Sequence, residues 1–297
     1  TQSGPILMKL FYLATTVVLS LSATALADNW PQWRGSNRDG ISKETGLLKQ
    51  WPENGPPLAW KAAGAGFGYS SFAVSNGRVF TMGLRGDREV VVAFDAATGK
   101  QVWATSHGKA FRNDRGDGPR GTPTVEGDRL YALGGAGDLS AIETNTGRVV
   151  WTMNVLDKFG GQNITWGISE SPLVIGEKIL VNAGGPGASI VALNKKDGAL
   201  IWKSQSDRAG YSSGIPVQVG NTTQVVFFTN RRAVGLDLKD GKLLWEYERA
   251  SNNVANAATP IVRQGNAAPA RPSCAVGAVA PPCWPWSPCS AWSAWAP

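Results

Sequence analysis

Four stretches of this sequence share one layout: a polar residue, a glycine four positions later, and a tryptophan four positions beyond that. They are Asp95 to Gly99 to Trp103, Glu143 to Gly147 to Trp151, Asn194 to Gly198 to Trp202, and Asp237 to Gly241 to Trp245. In each, the polar residue opens a tight turn, the glycine takes its positive-φ position, and an apolar strand ends on the ring. Upstream of each turn lies a strand, over residues 90–94, 139–142, 190–193 and 233–236, so each unit contains a hairpin. A second mark recurs about thirty residues before each tryptophan, at Thr122-Pro123, Ser171-Pro172, Ile215-Pro216 and Thr259-Pro260 for the unit that follows. Proline at the first position of a strand sacrifices no ladder hydrogen bond, so each of these opens an inner strand. The second unit reads strand 124–125, strand 129–133, strand 139–142 and strand 148–151. Tryptophans at 60, 103, 151, 202 and 245 are 43, 48, 51 and 43 residues apart. Four short strands in 40 to 50 residues are the repeat of an all-β propeller blade. A β-helix needs shorter coils and a sandwich does not repeat with this regularity. The composition agrees: 36 Gly and 13 Trp stand beside only 17% charged residues.

These repeats resemble the quinoprotein-like β-propellers, whose blades carry an alanine/tryptophan-docking repeat. That family includes pyrroloquinoline quinone dehydrogenases, polyvinyl-alcohol-dehydrogenase-like proteins, and the periplasmic scaffold of the outer-membrane protein assembly machine. The resemblance covers residues 28 to about 264 and begins with Asn29-Trp30-Pro31-Gln32-Trp33-Arg34-Gly35. It implies rings of seven or eight blades. Four complete repeats, a preceding strand at Leu58–Lys61 and a fifth start at 257–262 then amount to a little over half a ring. Recurring tryptophans at the ends of strands are expected to wedge between neighbouring blades and bury their rings.

The two ends read differently. Met8-Lys9, an apolar run over 10–21 and Ala25-Leu26-Ala27 have the order of a secretory signal peptide, with cleavage expected after Ala27. Residues 1–27 are thus assigned to upstream sequence and leader, and 28–266 to the propeller. Residues 267–297 hold all 3 Cys, several Trp and many Pro, but no acidic residue, Leu, Ile or Phe. They are read as a non-native, frameshift-like tail rather than a metal or disulfide module, since three Cys without a nearby His supply no paired ligands. A leader implies a periplasmic or secreted protein with no membrane span after cleavage. The formal charge of +7 is scattered through turns without a basic run, which argues against nucleic acid as a partner.

Chemistry-bearing residues are few. The single His107 excludes a multi-histidine metal site and is expected in a solvated inter-blade loop. The loop Asn113-Asp114-Arg115-Gly116-Asp117-Gly118 has oxygens as calcium loops do but lacks their further ligands. The preferred reading has Asp114 and Asp117 forming turns and pairing with Arg112, Arg115 or Arg120. Residues just before the inner strands line one mouth of a propeller channel: Arg120, Thr122, Trp166, Ser169, Glu170, Tyr211, Ser212 and Ser213. Among them Arg120, Trp166, Glu170 and Tyr211 are the cofactor-binding candidates. Arg120 suits a carboxylate, Trp166 a planar ring, and Glu170 a cation or a proton. A water-filled mouth with structural polar residues is the competing reading, and no metal ligand set is assigned.

Two functions follow. The favoured one is a noncatalytic periplasmic or secreted scaffold that holds a protein partner or small ligand. The alternative, implied by the resemblance, is a dehydrogenase that oxidises an alcohol or sugar with pyrroloquinoline quinone and calcium. The adjacent cysteines of alcohol-oxidising relatives have no counterpart within 28–266.

Overall fold

In the computed structural model, residues 28–252 and 254–261 are described. The expected leader and the tail from 267 lie outside them. Among the described residues, sixteen strands form four separate four-stranded sheets, each an antiparallel meander in sequence order. The first blade holds β1 (Ala73–Ser75), β2 (Arg78–Arg85), β3 (Arg88–Asp95) and β4 (Gln101–Lys109). The second holds β5 (Thr124–Glu126), β6 (Arg129–Leu133), β7 (Asp138–Glu143) and β8 (Val149–Asn154). The third holds β9 (Leu173–Ile175), β10 (Lys178–Gly185), β11 (Ala188–Asn194) and β12 (Leu200–Ser204). The fourth holds β13 (Ile215–Val219), β14 (Thr222–Phe228), β15 (Ala233–Asp237) and β16 (Leu243–Tyr247). This is the propeller architecture expected from the repeat.

The middle strands of each blade are almost continuously apolar because both of their faces are covered. Phe80, Met82, Val91 and Ala93 of the first blade share a core with Val125, Leu130, Ala132 and Ile142 of the second. Comparable cores join the second blade to the third and the third to the fourth. Burial is thus an inter-blade property, and a blade on its own exposes most of its apolar surface.

Four of the recurring tryptophans dock onto the blade that follows them in sequence. The indole Nε1 of Trp60, Trp103, Trp151 and Trp202 donates to the carbonyl oxygen of Ala96, Thr144, Lys195 and Leu238, at 2.9, 2.9, 3.2 and 3.1 Å. Each acceptor sits three residues before the turn glycine of the following blade. A methyl group on that glycine would press into the docked ring, at 2.5 Å on Gly99, 2.7 Å on Gly147 and 2.5 Å on Gly241. These glycines also have φ of 68 to 76°. They therefore satisfy two demands at once, a left-handed turn and a flat seat for an indole. A bulge in the outer hairpin of every blade, next to Ala93, Ala141, Ala192 and Gly235, lies directly across from the tryptophan and aims it outward.

Several expectations need correction. The outer strands do not end on tryptophan: β4 runs on to Lys109 and β8 to Asn154, because their ladders with β3 and β7 continue past the ring. Leu58–Lys61 is not a strand, although Trp60 docks as a fourth-strand tryptophan does; among the described residues no third strand lies beside it to pair with. No strand occurs in the described part of 257–262 either. Pro123 and Pro172 stand one residue before β5 and β9, whereas Pro216 lies inside β13, opposite Val225. A short helix, α1 (Val155–Phe159), interrupts the all-β pattern. Its Asn154 cap accepts from the Asp157 amide, and Gly160 closes it in the left-handed region at φ 70°.

Candidate functional site

The innermost strands β1, β5, β9 and β13 start at the same end of the sheets, so the loops leading into them form one mouth. Polar side chains stitch each loop to the next. Ser70 Oγ donates to the Gly121 carbonyl at 2.7 Å, and the Thr122 amide donates to Ser171 Oγ at 2.9 Å. The Ser171 amide donates to Ser213 Oγ at 2.8 Å, and Ser169 Oγ to the Tyr211 carbonyl at 2.9 Å. Beyond the fourth blade the Tyr211 amide reaches the Asn256 carbonyl at 3.1 Å. Thr122, Ser169 and Ser213 therefore hold the mouth together.

Three of the four cofactor candidates line this mouth. The rings of Trp166 and Tyr211 lie 5.5 Å apart at 39°, with the Trp166 amide donating to the Tyr211 hydroxyl at 3.4 Å. Arg120 sits over Phe111 at 4.6 Å and over Tyr69 at 5.4 Å. Its guanidinium donates to the carbonyls of Gly116 and Gly118 in its own loop, so it braces that loop. The Arg112–Asp117 pair at 2.9 Å and the Asn113 amide on Asp117 Oδ1 brace it further. Tyr69, Phe111, Arg120, Trp166 and Tyr211 thus make an aromatic and cationic arc across the leading loops. Between the loop entering the fourth blade, its β14–β15 turn and the segment after β16 is a cleft of about 430 Å³ lined by Tyr211, Arg208, Arg231, Asn252 and Asn256.

Glu170 turns inward instead. It is 2% exposed, and one carboxyl oxygen accepts from the Asn182 amide. That amide lies on β10 beyond the short β9, which pairs only with Lys178–Leu180, so Glu170 replaces the missing strand partner. The other oxygen Oε2, Asn182 Oδ1 and Ser212 Oγ are all buried without a hydrogen-bond partner. Burial pushes the Glu170 carboxyl up to about 8, against the pull of the Asn182 amide and the charge of Arg38. The Glu170 carboxyl is therefore held in its neutral form at neutral pH.

A second buried acid was not singled out from sequence. Glu89 of β3 is fully buried and accepts from the Gly135 amide at 3.0 Å across the first inter-blade junction. Burial raises its carboxyl to about 7. Nearby His107 belongs to β4, is 5% exposed and has no partner on either ring nitrogen, so the expected solvated loop position is corrected. Burial lowers its imidazole to about 4, which keeps it neutral. The cause of the miss is the unforeseen length of β4.

Pyrroloquinoline quinone is a tricarboxylate and calls for donors. Here two donors of Arg120 are engaged by its own loop and its guanidinium is stacked on Phe111 and Tyr69, while the carboxyl and amide oxygens of Glu170 and Asn182 are acceptors closed off from solvent. Arg120, Trp166, Glu170 and Tyr211 do not assemble into a site that fits it.

Comparison with known proteins bears on this site. The family profile described as outer membrane protein assembly factor BamB matches residues 51–154 and 86–280. The outer membrane protein assembly factor BamB of Moranella endobia (strain PCIT) is 26% identical over 190 residues, covering 62% of this chain and 45% of that protein. Its counterpart from Shewanella oneidensis is 28% identical over 157 residues, 50% of this chain and 36% of that protein. The chain therefore spans less than half the length of these curated relatives. A quinohemoprotein alcohol dehydrogenase from Comamonas testosteroni superposes with a TM-score of 0.56 at 19% identity, over 76% of this chain and 42% of that one. At that identity the likeness is one of fold alone.

Proposed function

The chain belongs to the family of outer membrane protein assembly factor BamB, and from that premise we propose that it is a noncatalytic scaffold of the bacterial envelope, periplasmic or secreted, which holds a protein partner at the mouth of its propeller. The observation that carries this reading is the arc of Tyr69, Phe111, Arg120, Trp166 and Tyr211. Aromatic and arginine side chains dominate the energetic centres of protein interfaces because they bury a large rigid area while keeping a polar handle. Tyr69 is 62% exposed and Phe67 beside it 78%, a concentration of apolar surface that suits a covered rather than a bare face. No helix among the described residues is long and apolar enough to cross a membrane.

The test places a photo-crosslinking amino acid at position 166 and irradiates cells that make the protein. A crosslink to one defined envelope protein, lost when Tyr211→Ala and Tyr69→Ala are added, supports the scaffold. Calorimetric titration with pyrroloquinoline quinone, with and without calcium, decides against it if tight uptake is followed by dye reduction with an alcohol.

A further inference from the structure

The first described residues of the chain lie along the innermost strands of the blades. Topology places the turns between first and second strands at the end opposite the mouth. At that end the Asn29 side-chain oxygen accepts from the Asn76 amide at 3.1 Å. The segment then climbs the innermost strands. Trp30 and Val74 of β1 exchange both backbone hydrogen bonds at 2.8 Å, and the Pro31 carbonyl accepts from the Val125 amide of β5 at 2.7 Å. Residues 32–40 close into a compact loop through the Gly35, Arg38 and Gly40 amides, at 3.0, 3.1 and 2.9 Å. Gly35, at φ 80°, lies flat on the Trp30 ring, where a methyl group would meet it at 2.8 Å.

This loop delivers Arg38 to the floor of the mouth. The residue is 3% exposed, and a guanidinium has five N–H donors. All five are used. Nε donates to Gln32 Oε1 at 2.8 Å, and Nη1 to the carbonyls of Ser171 and Gly214 at 3.2 and 2.9 Å. Nη2 donates to Thr124 Oγ1 at 3.4 Å and to the Pro172 carbonyl. One side chain therefore joins the starts of the innermost strands of the second, third and fourth blades. It does so from a left-handed backbone at φ 56°, a conformation that a non-glycine residue holds only where its surroundings enforce it. Trp33 adds a contact beyond the fourth blade, donating to Thr259 Oγ1 at 3.1 Å.

We propose that residues 29–40 are a built-in plug of the propeller channel, pinned by Arg38, and that they make the Trp166–Tyr211 mouth a blind cup rather than one end of a passage. A partner or ligand then engages the rim and the inter-loop clefts and does not thread the ring. The plug is read from the free protein, so it stands or falls independently of what the mouth binds.

Hydrogen exchange followed by mass spectrometry tests it on the full chain and on Arg38→Met. In the parent protein the Gly35, Arg38 and Gly40 amides should exchange at least about a hundredfold more slowly than in an unstructured peptide. Exchange at the unstructured rate overturns the plug outright. In Arg38→Met, protection of 29–40 and of the Val74 and Val125 amides should fall at least about tenfold, with circular dichroism unchanged. A folded Arg38→Met with undiminished protection overturns the pinning role. Should that variant fail to fold, Arg38→Lys keeps the charge but offers three donors for five acceptors. It should show the same loss to a smaller degree, and full protection there counts equally against Arg38.

Discussion

The junction between the third and fourth blades and the far face of the fourth blade carry the same sequence motif but different structures. At the junction, Trp202 leaves its own sheet, is 7% exposed, and donates to the Leu238 carbonyl over the seat of Gly241. At the far face, Trp245 has no following turn among the described residues. Its Nε1 donates to Gln224 Oε1 of its own blade at 2.8 Å. Its cross-strand neighbour is Gly235, where the first three blades have Ala93, Ala141 and Ala192, and the ring lies where a methyl group on Gly235 would stand. A motif within one blade is therefore only half of an interaction, and the neighbouring blade decides where the indole goes.

The largest test of that contrast is removal of the rings. Trp202→Ala should cost ~3–5 kcal/mol in denaturant unfolding, the usual cost of deleting a large buried aromatic. Trp245→Ala, on a face that no described blade covers, should cost less than about 2 kcal/mol. Equal losses would show that docking onto the next blade adds nothing to burial in the same sheet.

Glycine substitutions separate the turn from the seat. Gly127 and Gly147 both have positive φ, 60° and 74°, but only Gly147 lies under a ring, with nothing within 4 Å of a methyl group on Gly127. Gly127→Ala should cost ~1–2 kcal/mol for its left-handed backbone alone. Gly147→Ala adds the overpacking of Trp103 and should reach ~2–4 kcal/mol. If thermal and denaturant midpoints shift alike for both, the glycine serves the turn only.

The junctions, unlike the free face, contain buried acids, so their stability should depend on pH. Glu170 and Glu89 hold protons in the folded state to about 8 and about 7, well above their unfolded values. Their contribution is full below the unfolded carboxylate range and is lost as pH rises through those folded values. His107, lowered to about 4, works in the opposite sense: its contribution is present above its unfolded value near 6.5 and is lost as pH falls toward 4. The two trends oppose each other below about pH 6.5. Between pH 6.5 and 8 the acids act alone, and stability should fall by up to about 2 kcal/mol. Glu170→Gln, which carries a permanent donor, should flatten most of that slope; an unaltered slope would place the titration elsewhere.

The smallest effect is expected from Gly235→Ala, which gives the fourth blade the alanine of the other three. Stability should change by no more than about 1 kcal/mol. The Trp245 indole N–H should nevertheless lose its bond to Gln224 and shift in the NMR spectrum, because the methyl group takes the place of the ring. An unmoved resonance would mean that Trp245 reaches Gln224 without resting on Gly235.

The regular parts of the fold were legible because their causes are local. The second blade was read strand for strand to within a few residues, since a turn glycine, a polar residue that opens the turn and an apolar run act over four to eight positions. The rim residues Trp166 and Tyr211 followed from the same topology. Glu170 was placed at the mouth correctly in the chain but not in orientation, because the amide it caps belongs to β10, in the same sheet as β9 but outside β9's reach. His107 was misplaced because the end of β4 depends on how far β3 continues beside it. Arg38 gave no signal beyond one arginine in an opening segment.

By itself, then, the sequence determined an all-β repeat, its four-strand period, its turn chemistry and the family to which it belongs. All of these rest on short-range hydrogen bonding, glycine's backbone freedom and apolar spacing. Tertiary structure alone decided which glycine seats which tryptophan, which acids are closed off from water, and what fills the channel. Four of the acceptors gathered by Arg38 lie 86, 133, 134 and 176 residues away along the chain. Contacts at such separations come from the packing of blade against blade; three of these four acceptors are backbone carbonyls, and a carbonyl is the same group whatever residue carries it.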